Sequence, residues 1–368
     1  MIVICTQCQA KFRVAEEKIG PRGAKVRCSK CQNLFVIHRE LGSMPLGTQR
    51  PAAAPSAARP AAPQAAARPP PPAPAPAAAA APAPLDNTVQ HSIPGSNLKF
   101  TRAQITNRFG PADWFPEDHP QMPDVVAHGK ESTTPPVFAC SLCHLTNGNG
   151  RPENANITGL SYGYFVQQLM DFRSGARKTS DPRKGNTGLM AGFAKNMTDD
   201  EIKAAATFFT SIPAKPWVKV VETTTVPKTR SQGGLFLTIE GQGAGTEALG
   251  NRIIETPVSV EEAETKRNPR SGFLAYVPPG SVAKGETIAK TGAGKVTACV
   301  ACHGPDLRGL GPVPRLAGRS PSYIGRQLYD MQMGNRSGAW TPLMQPVVSK
   351  LTSDDILAVS AYVASLTP

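Results

Sequence analysis

The chain has 368 residues and a formal net charge of +13, with 40% hydrophobic but only 6% aromatic residues. This length allows two or three domains and argues against a single small core. No apolar run reaches the roughly 18 residues of a membrane-spanning helix, so no transmembrane segment is expected. Residues 1–84 hold eleven Lys and Arg against three acidic residues. A solvated basic surface explains this excess, and nucleic acid is not expected as a partner.

Two cysteine pairs stand within residues 1–40. They are Cys5, Cys8, Cys28 and Cys31, in the pattern C-x2-C-x19-C-x2-C. Four thiolates make a closed tetrahedral zinc site, which stabilises a segment too small for a core of its own. Short β-type runs flank the pairs, at Lys11–Val14, Ala24–Arg27 and Asn33–His38. The pattern predicts a small β zinc ribbon with one structural zinc ion; two disulfides in an oxidising compartment are the main alternative.

The stretch CTQCQAKFRV…VRCSKC resembles the short zinc-ribbon finger that begins many bacterial proteins. Residues 41–97 follow as a predicted linker, because 44–86 are almost wholly Ala, Pro and Arg without periodicity. Proline at this density disfavours helices and sheets alike. A disordered, partly polyproline spacer is therefore expected.

Two CxxCH pentapeptides dominate the rest of the chain, Cys140–His144 and Cys299–His303. Each places two thiols one helical turn apart, where they can add across the two vinyl groups of a haem. The adjacent His is then placed to ligate the iron. This spacing is typical of c-type haem attachment and predicts two covalently bound haem c groups. The attachment and proximal residues are Cys140, Cys143 and His144 for the first haem, and Cys299, Cys302 and His303 for the second.

An internal repeat accompanies the two pentapeptides. At an offset of 159 residues the first pentapeptide falls on the second, and Tyr164 falls on Tyr323. Five residues are then missing from the second copy, after which Met190 falls on Met344. The repeat shows that one structural unit is present twice.

Each copy is predicted to be a small all-α domain, at 98–215 and 285–368. After the pentapeptide comes a middle helix, at about 161–173 or 321–333, and then a loop that carries a methionine. A closing helix follows, with Thr198 or Thr352 as N-cap and acidic residues in the first turn.

An iron held for electron transfer needs two strong axial ligands, so that its coordination changes little between ferrous and ferric states. A thioether opposite His raises the potential, because soft sulfur favours ferrous iron. Met190 and Met344 are predicted as these ligands, since they superpose in the repeat and each lies eight residues before the N-cap Thr. His119 or His128 in place of Met190 is the alternative. Otherwise these two, like His91, are expected on the surface or in loops.

The segment between the copies, 216–284, differs in composition. Trp217–Pro227, Gly234–Glu240 and Asn251–Val260 are rich in Val, Ile and Thr and are broken by Gly. These runs predict an extended or β-like connector that lies against the haem domains. Ahead of the first pentapeptide, a helix is expected at about 101–109, followed by an irregular wrap.

The repeats resemble the class I cytochromes c, in particular the tandem dihaem type with two such domains in one chain. The resemblance covers about 110–215 and 285–368. It rests on ACSLCH…QQL…GLMAGFAKNMTDDEI and ACVACHG…PRLAGRSPSYIGRQL…PLMQPVVSKLTSDDI. In that family a proline carbonyl accepts the ring N–H of the proximal His. Pro314 matches this position in the second domain, whereas the first has Ala155, with Pro152 as a possible substitute. The two haems are therefore expected to differ in potential.

The resemblance and the complete axial sets predict a non-enzymatic carrier of single electrons. Its partners would be redox proteins or a membrane respiratory complex, and the zinc ribbon would serve docking or assembly. A dihaem dehydrogenase or peroxidase with one open iron is the alternative, and a zinc-ribbon regulator with a haem sensor is a third. Haem attachment predicts the periplasm, although residues 1–14 lack the pattern of a secretory signal. The predicted fold is mostly α, with two class I cytochrome c domains, the β-like connector and the small β ribbon.

Overall fold

The computed structural model describes residues 2–4, 11–13, 24–30, 34–37 and 87–368. The chain divides into two compact units, Met1–Ala79 and Ala80–Pro368. The predicted Ala/Pro-rich spacer at 44–86 lies outside the described residues.

In the described residues of the first unit, two pairs of short strands are antiparallel. Strand β1 (Ile2–Ile4) pairs with β2 (Lys11–Arg13), and β3 (Ala24–Arg27) pairs with β4 (Leu34–Ile37). The three predicted β-type runs are confirmed as strands, and β1 is an addition. Each cysteine pair follows directly on a strand, the first on β1 and the second on β3.

The second unit is mostly helical. Its helices are α1 (Arg102–Ile105), α2 (Asp124–Ala127), α3 (Cys140–His144), α4 (Tyr162–Ser174), α5 (Gly185–Asn196), α6 (Asp199–Ser211), α7 (Ser281–Thr291), α8 (Val300–His303), α9 (Pro321–Gln332), α10 (Thr341–Val348) and α11 (Ser353–Ser365). Its strands are β5 (Gln90–His91), β6 (Phe100–Thr101), β7 (Val218–Glu222), β8 (Thr225–Pro227), β9 (Thr229–Gln232), β10 (Leu235–Thr238), β11 (Thr246–Ala248), β12 (Ile254–Pro257) and β13 (Phe273–Val277). Among the helices that the structure describes, none is long and apolar enough to span a bilayer.

The middle and closing helices predicted for both repeats are confirmed. The middle helices are α4 and α9, and the closing helices are α6 and α11. Thr198 and Thr352 cap the closing helices as predicted, because each hydroxyl accepts the N–H of the residue three positions on. The side chains of Glu201 and Asp355 accept the N–H of the cap residue in return, which completes a capping box at each helix.

Each repeat has its own hydrophobic core. In the first, Phe165 of α4 and Phe209 of α6 stack with ring centroids 6.1 Å apart. In the second, α7, α9 and α11 bury Ile288, Ile324 and Val363 together. The half-buried Ala155 packs against both cores, so the two repeats meet beside it.

The connector contains a three-stranded sheet in the order β12-β13-β7, with β7 parallel to β13. Where these two strands begin, the N–H of Phe273 donates to the carbonyl of Trp217 at 2.8 Å, and the two rings meet edge to face. Strand β8 pairs with β11, and β9 with β10. The predicted β-like runs contain β7, β8, β10 and β12, whereas β9, β11 and β13 lie outside them.

Three local features differ from the predictions. Helix α1 ends at Ile105, four residues earlier than expected, because Thr106 caps it. Residues 87–97, assigned to the linker, include β5, which pairs with β6. Helix α7 runs across the predicted division at 284–285.

The capping carboxylate of Asp355 also anchors two lysines. It is 1% exposed and lies 3.1 Å from Nζ of Lys295 and 3.2 Å from Nζ of Lys284, and it accepts the N–H of Thr352 at 3.1 Å. Burial would raise the pKa of Asp355, but these donors outweigh burial and hold the pKa well below its usual range. Because the folded pKa lies below the unfolded value, the stabilisation is fully present above about pH 4 and is lost as the pH falls toward the folded pKa.

Asp355→Asn is therefore expected to lower the free energy of unfolding by about 2 kcal/mol at pH 7, since two charge-assisted bonds are lost. The difference from wild type is expected to shrink when the pH falls below about 4. Urea unfolding at pH 7 and pH 3 measures both effects. Asp200→Asn on α6, where the carboxylate is 92% exposed, is the control and should cost less than about 0.5 kcal/mol. Equal losses of unfolding free energy in the two variants would contradict the role of Asp355 as the anchor of the two lysines.

Candidate haem sites

The first pentapeptide forms α3, a helix of five residues that begins at Cys140 and ends at His144. Two contacts hold it in place. The N–H of Ala139 donates to the carbonyl of Arg108 at 2.9 Å, and the hydroxyl of Ser141 donates to the carbonyl of Val126 at 2.8 Å. Positions three apart on a helix lie on one face, so both cysteines are turned to the same side.

A cavity beside α3 holds about 1310 Å³ of space not filled by protein atoms, including solvent at its mouth. Cys140, Cys143, His144 and Met190 all line it. Its apolar wall is formed by Val137, Ile157, Leu160, Phe165, Leu169, Phe172 and Phe193. The structure therefore brings together all four residues that the sequence assigns to the first haem.

His144 is buried, and one of its ring nitrogens is already hydrogen-bonded. Nδ1 lies 2.8 Å from the carbonyl oxygen of Ala155. A carbonyl can only accept, so Nδ1 carries the proton and Nε2 keeps the lone pair that can bind a metal. Burial lowers the pKa of His144, so the ring is neutral at pH 7. The carbonyl of Ala155 thus takes the place of the family's proline carbonyl, because any residue supplies a backbone carbonyl, and Pro152 as a substitute is wrong.

The second pentapeptide repeats this geometry. Helix α8 ends at His303, whose Nδ1 lies 2.8 Å from the carbonyl oxygen of Pro314, again eleven residues farther along the chain. Burial lowers the pKa of His303 and raises that of the Cys299 thiol to about 11. Cys302 is exposed, whereas Cys143 is half-buried. The two attachment peptides thus share their proximal hydrogen bond but differ in exposure.

The two predicted axial methionines lie on helices, so the prediction of a loop around them is wrong. Met190 is on α5 and lines the first cavity, and Met344 is half-buried on α10. Pro342 is tolerated because it stands in the first turn of α10, where its missing N–H has no intrahelical partner in any case.

One wall of the first cavity is cationic and comes from the second repeat. Arg319 and Arg326 line it, and Nε and Nη2 of Arg319 and Nε of Arg326 are buried without a hydrogen-bond partner among the described residues. Burial would raise the pKa of Tyr323, but Arg177, Arg319 and Arg336 outweigh burial and lower it to about 7. Arg326 also donates through Nη2 to the carbonyl of Pro152 at 2.6 Å, but a guanidinium nitrogen buried without an acceptor is costly. This wall therefore fits a ligand with carboxylates, and a haem carries two propionates.

Two arginines that the sequence analysis missed join the repeats. The guanidinium of Arg177 donates to the hydroxyl of Tyr323 at 3.1 Å and to Oε1 of Gln327 at 2.9 Å, both on the middle helix of the second repeat. The guanidinium of Arg336 donates to the hydroxyl of Tyr164 at 2.6 Å and to Oε1 of Gln168 at 2.7 Å, both on the middle helix of the first. Their backbones pair as an antiparallel bridge. The offset of 159 also relates Arg177 to Arg336, so the repeat alignment contained the signal.

The histidines considered as alternatives are not among the residues that line the cavity. Nε2 of His119 lies 3.1 Å from the Asp113 carboxylate, and Nδ1 of His128 lies 3.3 Å from the carbonyl oxygen of Phe109. His91 lies in β5. Met190 lines the same cavity as His144, and its role as a ligand stays a prediction.

The structure describes one of the four predicted zinc ligands, and Cys5, Cys8 and Cys31 lie outside the described residues. Cys28 is buried, and its Sγ accepts the N–H of Lys30 at 3.4 Å. An N–H directed at sulfur favours the thiolate, the form that binds metal. The surroundings of Cys28 therefore fit a zinc ligand.

Two family models match the chain, a zinc-ribbon domain at residues 1–36 and cytochrome c at residues 282–367. Cytochrome c-554(548) of Halomonas halodenitrificans is 38% identical over 78 residues, which cover 21% of this chain and 94% of that protein. A thiosulfate dehydrogenase electron acceptor of Stutzerimonas stutzeri is 26% identical over 235 residues, 63% of this chain and 81% of that protein. Cytochrome c4 of Azotobacter vinelandii is 26% identical over 232 residues, 62% of this chain and 84% of that protein.

The chain therefore belongs to the class I cytochromes c, of the tandem type with two such domains, and carries a zinc-ribbon domain at residues 1–36. Both resemblances drawn from the sequence are confirmed, and so is the mostly α fold class. Membership of this family implies covalently bound haem c, and redox proteins as partners.

Proposed function

We propose that this protein carries single electrons between redox proteins, using two covalently bound haem c groups. The observation that carries the proposal is the first cavity, where the attachment cysteines, His144 and Met190 line one largely apolar space. The repeat supports an equivalent set in the second half, formed by Cys299, Cys302, His303 and Met344. When bound, a haem iron supplies a one-electron couple.

The residues of the chain would fix each group and restrict its chemistry. The carbonyls of Ala155 and Pro314 hold the Nδ1–H of the proximal histidines, which orients each ring and leaves Nε2 for iron. Met190 and Met344 would hold the iron together with these histidines, which would leave no position for substrate. The apolar wall would exclude water from the first centre, and Arg319 and Arg326 would pair with its propionates.

Redox proteins are the partners that the family supports, and the name of one relative, a thiosulfate dehydrogenase electron acceptor, supports an enzyme as electron donor. Haem c attachment supports a periplasmic location. The zinc ribbon, with zinc on Cys5, Cys8, Cys28 and Cys31, would act in docking or assembly. A membrane respiratory complex is the alternative partner.

Protein made with the haem-attachment machinery is expected to contain two haems and one zinc per chain, because two pentapeptides and one four-cysteine set are present. A pyridine haemochrome assay and elemental analysis measure the two counts. Both haems should stay with the polypeptide in acid-acetone extraction. Cys299→Ala with Cys302→Ala should remove one haem, and loss of both or neither would contradict independent attachment.

A further inference from the structure

The connector reaches the first haem-attachment peptide. Its segment Glu261–Arg270 lies against the loop around α3, where the guanidinium of Arg267 donates to the carbonyl of Leu142, inside the pentapeptide. Close by, Nδ2 of Asn147 donates to the carbonyl of Pro269 at 2.7 Å. The connector therefore contacts the peptide that would hold the first haem.

Arg267 brings a second guanidinium to this place, and the carboxylates of Glu153 and Glu264 are near enough to act on its charge. Its neighbour Arg151 is paired, with Nη2 2.6 Å from the Glu153 carboxylate and Nη1 2.8 Å from that of Glu264. Arg267 forms no ion pair within the part of the chain that the structure describes. The guanidinium of Arg267 thus lies at the attachment peptide, where it contacts the carbonyl of Leu142 beside Cys143.

The backbone of Arg267, whose side chain contacts Leu142, has a strained conformation. Its φ of 51° lies in the left-handed region, which costs a residue with a Cβ on the order of 1 kcal/mol. Next to it, Nε1 of the buried Trp114 donates to the carbonyl of Lys266 at 2.8 Å, which fixes the turn. Strain that is held by surrounding contacts and directed at a site points to a role at that site.

The second pentapeptide has no matching arginine contact among the described residues. No arginine side chain there donates to a carbonyl of Cys299–His303. At the repeat offset Arg151 corresponds to Leu310, which is 59% exposed, and Cys302 is exposed as well. The charge contributed by the connector is specific to the first centre.

We propose that Arg267 raises the reduction potential of the first haem centre above that of the second. This inference rests on the proposed function, because it needs a haem at each pentapeptide. When a reduced redox protein delivers one electron, ferric iron becomes ferrous, no bond is formed or broken, and no proton is required. The net charge of the centre falls by one, and a fixed cation nearby favours that state, more strongly where water is excluded.

The test is a spectroelectrochemical titration of the full-length dihaem protein and its variants. Arg267→Gln is expected to lower the ferrous-to-ferric ratio of one centre about three- to tenfold at a fixed solution potential. Arg267→Lys, which keeps the charge, should restore most of the ratio. Each haem gives one wave, which is the change of absorbance as that iron is reduced. The wave whose potential shifts in Arg267→Gln must be the one whose potential shifts in Met190→Ala, because that variant identifies the first centre. In the wild-type protein that wave must also be the higher of the two.

Arg252→Gln is the matched control, because it removes the same charge from an exposed connector arginine that pairs with Glu247 at 3.0 Å. It should leave both waves in place, and raising the salt concentration should not remove the effect of Arg267. An unchanged first wave in Arg267→Gln, an equal shift in Arg252→Gln, or a lower first wave in the wild type would overturn the inference. A count of fewer than two haems would instead reject the proposed function.

Discussion

Gly285→Ala is expected to destabilise the protein by roughly 3 kcal/mol or more. Gly285 lies where α7 crosses α11, and a Cβ built on it would overlap the carbonyl oxygen of Ala358 and lie 2.7 Å from Cβ of Tyr362. The obstacle is backbone, so no change of rotamer relieves it, and the two helices would have to move apart. That separation would open the core of the second repeat. Thermal unfolding followed by far-ultraviolet circular dichroism measures the loss.

Gly325→Ala on α9 is the matched control. There the nearest atoms to a new Cβ are Oγ of Ser360 at 3.5 Å and Cγ2 of Ile356 at 3.8 Å, which is ordinary contact. Alanine also has the higher helix propensity, so this variant should be neutral or more stable by up to about 1 kcal/mol. If Gly285→Ala melted at the wild-type temperature, the close crossing of α7 and α11 would be wrong.

Met190→Ala is expected to remove one of two sulfur-to-iron charge-transfer bands, so the absorbance of that band should fall by roughly half. Without the thioether, ferric iron is favoured relative to ferrous iron, and the potential of the first centre should fall. The first iron would also gain an open position. Optical spectra of the oxidised protein and binding of an added ligand measure both consequences.

Met170→Ala provides a control, since this methionine is 37% exposed on α4 and is not among the residues that line the cavity. Its spectrum should match that of the wild type, and Met190→Ala with Met344→Ala should lose the band entirely. An unchanged band in Met190→Ala would instead favour the dihaem oxidoreductase alternative, in which one iron is open at rest.

Local signals in the sequence predict the features that depend on neighbouring residues. The CxxCH spacing identified both attachment peptides because the chemistry itself needs two thiols one turn apart. The closing helices followed from Thr198 and Thr352, whose capping interactions span only three residues. The repeat then selected Met190 among nine methionines, and the structure places it at the cavity with His144.

Features that depend on distant residues were not predictable in the same way. The contact of Arg267 with Leu142 joins positions 125 residues apart and has no counterpart in the repeat. The proximal bond of His144 was misjudged for a different reason, because its acceptor is a backbone atom that residue identity does not report. The helices that carry Met190 and Met344 form despite a composition rich in Gly or Pro, since tertiary packing overrides propensity.

The parallel pairing of β7 with β13 has a consequence for how such a chain could have been lengthened. Trp217 and Phe273 are hydrogen-bonded neighbours, so the intervening residues leave the path between the haem domains and return to almost the same point. A segment that leaves and returns in this way can become longer or gain new contacts while the distance between the two haem domains stays the same. The connector is therefore the kind of insertion that a tandem cytochrome can accept without a change in the contact between its two domains.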